Sequence, residues 1–149
     1  MTDQKPPCYV ANPYGFAEST RSFYYETLLP LVSKYVTVLD PWAVDVGQQS
    51  WLDLGEHHLA TIVNEARLVI ACLDQEPPDN GTVVEVAWAA AHGIPVIGYR
   101  GDFRTTGEEG LPYNLMIGAA IRRSGGVALA TLAELEQELS RIVSQLRSM

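Results

Sequence analysis

The chain has 149 residues, 47% of them hydrophobic and 19% charged, which is the make-up of one ordinary globular domain over residues 1–149 and excludes intrinsic disorder. Ten Lys and Arg against eighteen Asp and Glu give a formal charge of −8, so a nucleic-acid polymer, whose phosphates are held by cations, is excluded as a partner. No apolar run reaches the roughly 18 residues of a membrane span, and the opening Met1–Pro7 lacks the apolar run of a signal peptide, so the expected setting is the cytoplasm, away from membranes.

After a flexible segment over residues 1–7, the expected strands are Cys8–Asn12, Val36–Leu39, Leu68–Asp74, Ile94–Tyr99 and Val127–Leu129. Helices are expected between and after them, at Ser19–Lys34, Leu52–Ala66, Thr82–His92, Tyr113–Ser124 and Leu132–Arg147. The last is the clearest: Leu132, Leu135, Leu139, Ile142, Val143 and Leu146 keep one helical stripe, and Thr131 with Glu134 forms a capping box. Alternation of this kind predicts an α/β fold with a five-stranded, mainly parallel sheet, a flavodoxin-like doubly wound three-layer sandwich of strand order 2-1-3-4-5. Ligands of such sheets bind beyond the carboxyl ends of the strands. Those loops are Asn12–Glu18, Asp40–Trp51, Asp74–Gly81 and Arg100–Pro112.

Several chemistries drop out. Cys8 and Cys72 sit in apolar runs and read as core thiols, and His57, His58 and His92 lack metal-ligand spacing, with the adjacent pair read as solvated. Neither a P-loop, a dinucleotide fingerprint nor a G-x-S-x-G elbow is present. Carboxylates are concentrated instead around the third strand and the helix after it: Asp74, Glu76, Asp79 and Glu85. Glu85 precedes Val86-Ala87-Trp88-Ala89-Ala90-Ala91, a helix expected to be enclosed on every side, where a lone carboxylate is costly unless paired or functional. A helix-start acid with Asp79 as its cap accounts for the same residues equally well. Asn114, in Pro112-Tyr113-Asn114-Leu115-Met116-Ile117-Gly118, is likewise explained by capping alone. Most of the aromatic residues of the first third belong to the core, but Tyr14, Phe16 and Trp42 stand in ligand-edge loops and suit stacking on a flat heterocycle. Tyr9, on the central strand, brings a phenol toward the carboxylate helix.

Taken in order, the Tyr of Cys8-Tyr9-Val10-Ala11, the Asp of Leu73-Asp74, the motif Asp79-x-Gly81-x-x-x-Glu85 and the run Asn114-Leu115-Met116 resemble the nucleoside 2-deoxyribosyltransferases, over about residues 8–145. The resemblance implies that Glu85 attacks C1′ of a 2′-deoxynucleoside and that Tyr9 positions it. Asp79 would hold sugar hydroxyls, and Asp74 would exchange a proton or hydrogen bond with the leaving base. Asn114, with Met116 beside it, would reach the 5′-hydroxyl in a neighbouring subunit, making the enzyme a homo-oligomer. The substrates implied are a 2′-deoxyribonucleoside and a free nucleobase, with no metal or organic cofactor. A carboxylate nucleophile passes through an oxocarbenium-like transition state to a glycosyl ester, whose C1′ a second base then attacks, displacing the carboxylate with net retention.

Ala87 departs from the family pattern, in which many members have Gly. Gln48 and Gln49, in the second-strand loop, can each donate to and accept from a base edge, and equally suit a solvated loop. The alternatives are an N-glycoside hydrolase acting on deoxynucleosides or their 5′-monophosphates, and a non-catalytic nucleotide-sensing module.

Overall fold

A computed structural model describes residues 4–45, 47 and 49–148; Gln48 and the first three residues of the expected flexible segment lie outside them. The strands are β1 (Pro7–Ala11), β2 (Thr37–Leu39), β3 (Leu68–Cys72), β4 (Val96–Tyr99) and β5 (Val127–Leu129). They form one sheet of order β2-β1-β3-β4-β5, every pair parallel, as the alternating pattern predicts. All five residues of β3 are buried, the mark of a parallel strand covered on both faces.

The helices are α1 (Glu18–Ser22), α2 (Leu29–Val32), α3 (Trp51–Asn64), α4 (Asn80–Ala91), α5 (Leu115–Arg123) and α6 (Leu132–Ser148). Where one regular helix is expected over Ser19–Lys34, a π-helical stretch, Phe23–Leu28, separates α1 from α2. The shifted register ends beside Pro30, whose missing N–H cannot continue an ordinary helical ladder. The capping box of α6 forms as expected, Glu134 N–H donating to Thr131 Oγ1 at 3.1 Å and Thr131 N–H to Glu134 Oε2 at 3.0 Å.

Alternate residues of each strand feed opposite cores. Cys8, Val10, Ile70, Cys72 and Ile97 pack with Tyr24, Leu28, Val32, Leu135 and Leu139 on one face. On the other, Tyr9, Ala11, Val69, Ala71 and Leu73 pack with Ile62, Val86, Ala89, Ile117 and Ile121. The odd phase of β1 therefore delivers Tyr9 to the layer of α3, α4 and α5.

Two expectations need correction. Residues 5–7 are not loose: Lys5 Nζ donates to Ser33 O, Thr37 N–H to Pro6 O and Arg67 N–H to Pro7 O, so the segment before β1 is tied to its neighbours. Nor is α4 enclosed on every side, because Val84, Ala87 and Trp88 are exposed. Ala87 thus faces outward rather than the sheet. Among the described residues, no helix is long and apolar enough to cross a membrane.

Candidate active site

Glu85 sits beyond the first turn of α4, too far along for the helix dipole to explain it. Its partner is Tyr9, whose hydroxyl donates to Glu85 Oε1 at 2.6 Å from the buried floor of the sheet. Burial pushes the Glu85 carboxyl up to about 7; the Tyr9 hydrogen bond opposes that rise, and the negative charge of Asp79 adds to it. The Tyr9 phenol is itself driven far above its ordinary value, first by burial and then by the charge on Glu85, and stays a hydrogen-bond donor. The result is a desolvated carboxylate with one oxygen fixed.

Glu85 opens onto a cavity of about 440 Å³, within the size range of small-ligand sites. Three elements build its walls. The N-terminal part of α4 contributes Asp79, Gly81, Thr82 and Glu85, the loops after β1 and β2 contribute Asn12, Phe16, Pro41, Trp42 and Val44, and α3 contributes Trp51, Leu54, Gly55 and His58. Asp79 caps α4, its Oδ2 accepting from Thr82 N–H at 2.8 Å and Thr82 Oγ1 at 3.1 Å, so the capping role and a place on the cavity wall coexist. Phe16 meets Trp42 edge to face at 4.7 Å between ring centres. The Trp42 indole is pinned by Nε1–H donation to Asn12 Oδ1 at 3.0 Å, and Asn12 Oδ1 also receives Tyr14 N–H at 3.0 Å.

Tyr14 and Asp74 stand elsewhere. The expectation that Tyr14 offers its face to a ligand is corrected: its ring is buried against Phe23, and its hydroxyl donates to Asp74 Oδ2 at 2.5 Å. Asp74 Oδ1 accepts from Asp102 N–H at 2.9 Å, so both carboxylate oxygens are engaged, and Asp74 does not line the Glu85 cavity. Behind it lies the buried Arg100, whose Nη1 donates to Leu73 O at 2.5 Å and Gln75 O at 2.8 Å, on either side of Asp74.

Asn114 and Met116 are also separate from Glu85 within the chain. They border a groove between α4 and α5 with Asn80, Val83, Val86, Ala87, Ile117 and Ala120. Asn114 caps α5, Oδ1 accepting Met116 N–H at 2.9 Å and Nδ2 donating to Glu108 Oε1 at 3.1 Å, while Met116 is 68% exposed. Gln49 is exposed, and Gln48 lies outside the described residues. Among those residues, no group of three or more His, Cys, Asp or Glu is placed to hold a metal ion.

The family model described as Nucleoside 2-deoxyribosyltransferase matches residues 8–116, well over half of the chain. The chain belongs to that family. A search of curated proteins returns no match. Among solved structures, a conserved protein from Enterococcus faecalis V583 is similar at a TM-score of 0.72 and 19% identity, covering 92% of this chain and 98% of the other. A 2-desoxiribosyltransferase from Leishmania mexicana is similar at 0.62 and 25% identity, over 75% and 85% of the two chains. The likeness to a CMP N-glycosidase from Clostridium botulinum is 0.58 at 19% identity, over 91% and 98%.

For this nucleoside 2-deoxyribosyltransferase family member, the sequence reading overlooked one whole wall of the cavity. Trp51, Leu54, Gly55 and His58 stand at i, i+3, i+4 and i+7 of α3, a spacing that puts them on one helix face. Trp51 is 80% exposed, unlike most aromatic residues of the first third, and His57 is exposed as the solvated expectation for the pair requires. His58 is instead partly buried, with its ring edge-on to Tyr9 at 6.1 Å.

Proposed function

We propose that the protein is a nucleoside 2-deoxyribosyltransferase, exchanging the nucleobase of a 2′-deoxyribonucleoside through a covalent deoxyribosyl–Glu85 intermediate with net retention. The observation that carries this reading is the Tyr9–Glu85 pair at 2.6 Å on the wall of a largely apolar cavity. Fixing Oε1 leaves Oε2 to attack C1′, and the electron pair of the C1′–N bond passes to the departing base. The second base then attacks C1′ and releases Glu85; the proton it loses balances the one the first base gains. Asp79 lines the same cavity and is placed to receive a sugar hydroxyl, while Phe16 and Trp42 offer apolar surface to the base.

In this reading Asp74 stands outside the cavity that holds Glu85, its oxygens each accepting one bond, from Tyr14 and from the Asp102 amide. Asn114, exposed on the α4–α5 groove, serves the site of a second copy by approaching the sugar 5′-hydroxyl. A 5′-phosphate is disfavoured: among the described residues no Lys or Arg lines the cavity, while Glu85 and Asp79 do, so a dianion would meet uncompensated repulsion.

The test is incubation with 2′-deoxyadenosine or thymidine and a second free base. The expected product is the exchanged nucleoside, absent with Glu85→Ala. Free base without exchange identifies an N-glycoside hydrolase, and no turnover across a nucleoside panel identifies a nucleotide-sensing module.

A further inference from the structure

His58 carries a polar group that the reaction above does not use. It stands on the cavity face of α3, one turn beyond Leu54, and its ring also borders a second hollow of about 280 Å³ behind the cavity, together with Tyr9 and Asp40. Nδ1 is buried and has no hydrogen-bond partner. A buried N–H without an acceptor costs more than a buried bare ring nitrogen, so the neutral ring keeps its proton on Nε2. That nitrogen is then the one through which the ring can meet a ligand.

Tyr9 lies edge-on at 6.1 Å, His57 is the next residue, and Glu85 and Asp79, whose negative charge favours a protonated ring, line the same cavity, so desolvation must outweigh them for the ring to stay neutral. Burial, followed by the neighbouring His57, holds the imidazole below its ordinary pKa, in keeping with a neutral ring. Tyr9 ties this place to the reaction centre, since its hydroxyl is bound to Glu85 and its ring flank faces His58.

Resting on the transferase reading, we propose that His58 is a further substrate-contacting residue, donating Nε2–H to the base acceptor next to the glycosidic nitrogen. Purines and pyrimidines share an acceptor at that place, N3 in one and O2 in the other. When the C1′–N bond breaks, its electron pair spreads onto that atom, and a donor fixed there is worth more in the transition state than in the bound substrate. No proton is transferred: the hydrogen bond strengthens while His58 keeps Nε2–H. The contact eases departure of either base class without reading the edge that distinguishes bases.

The experiment compares wild-type enzyme, His58→Leu and His58→Gln on 2′-deoxyadenosine and its 3-deaza analogue, or on thymidine and its 2-thio analogue if pyrimidines alone are taken. Leu keeps the bulk without a donor, and Gln restores an N–H. Folding is checked by circular dichroism and thermal melts. In wild type the analogue should lose an extra factor of about 10 to 100 in kcat/KM, the range of one hydrogen bond to a group gaining charge. His58→Leu should show a similar loss on the parent nucleoside, mostly in kcat, with the analogue no longer penalised beyond its intrinsic reactivity, and Gln should recover part of the loss. A folded His58→Leu enzyme with unchanged kcat/KM, or an equal analogue penalty in both enzymes, overturns the assignment while leaving the transferase reading in place. A wild type that turns over neither nucleoside overturns both.

Discussion

At the scale of single residues, the Tyr9–Glu85 pair sets the pH behaviour. A nucleophile must be ionised, so kcat/KM should rise with pH through about 7, the pKa to which burial pushes Glu85. Tyr9→Phe removes the hydrogen bond that opposes this rise, and the limb should move to higher pH while the rate falls; a profile with an unmoved limb would separate Tyr9 from the nucleophile. The same shift enters stability. Folded Glu85 holds its proton up to about 7 against an ordinary 4.5, so the native state binds more protons than the unfolded one between those values, and stability falls as pH rises through that window. Glu85→Gln should therefore gain in melting temperature over wild type at pH 8, a gain that shrinks as pH falls and levels off below about 4.5, as read by calorimetry. Glu85 could be singled out in the sequence because a carboxylate in an apolar helical run is conspicuous. His58 could not, because its neighbour His57 is exposed and only the packing of α3 against the cavity tells them apart.

Loops and helices, at the next scale, set the shape of the cavity. Gly15 lies so close to Trp42 that a Cβ there would come within 2.3 Å of the indole ring. Gly15→Ala must displace Trp42, and KM for the nucleoside should rise about tenfold, the worth of one aromatic contact, with a smaller change in melting temperature. Arg100 acts from behind. Replacing it with Leu strips the Leu73 and Gln75 carbonyls of their donor and should cost about 2–4 kcal/mol in urea unfolding. The central strands are legible from their apolar runs, since parallel strands covered on both faces leave continuous hydrophobic signals, while the strand order follows from the strand–helix alternation; the partly exposed edge strands β2 and β5 leave only short ones. The π-helical stretch and the open face of α4 are not legible, because a break in helical register and the absence of a covering helix leave no mark in hydrophobic periodicity. Tyr14 misled for a related reason: its loop follows β1 at the ligand edge, yet the ring turns back into the core to reach Asp74.

For the molecule as a whole, the governing geometry is that Asn114 and Glu85 lie on opposite sides of α4. One copy cannot join them without moving the helix, so if the transfer uses both, as proposed, a second copy must supply the Asn114 that the Glu85 cavity lacks. In a symmetric pair each copy completes the other. Glu85→Ala and Asn114→Ala subunits, each inactive alone, should therefore regain activity when unfolded together, mixed in equal amounts and refolded. Random pairing makes half of the dimers hybrid, and each hybrid carries one intact site of two, so about a quarter of wild-type exchange should return. No recovery, from a mixture shown by native mass spectrometry to contain hybrids, would place Asn114 outside the neighbour's site. A wild type that is fully active as a monomer by light scattering would do so as well, since no second copy would then be present to supply the amide.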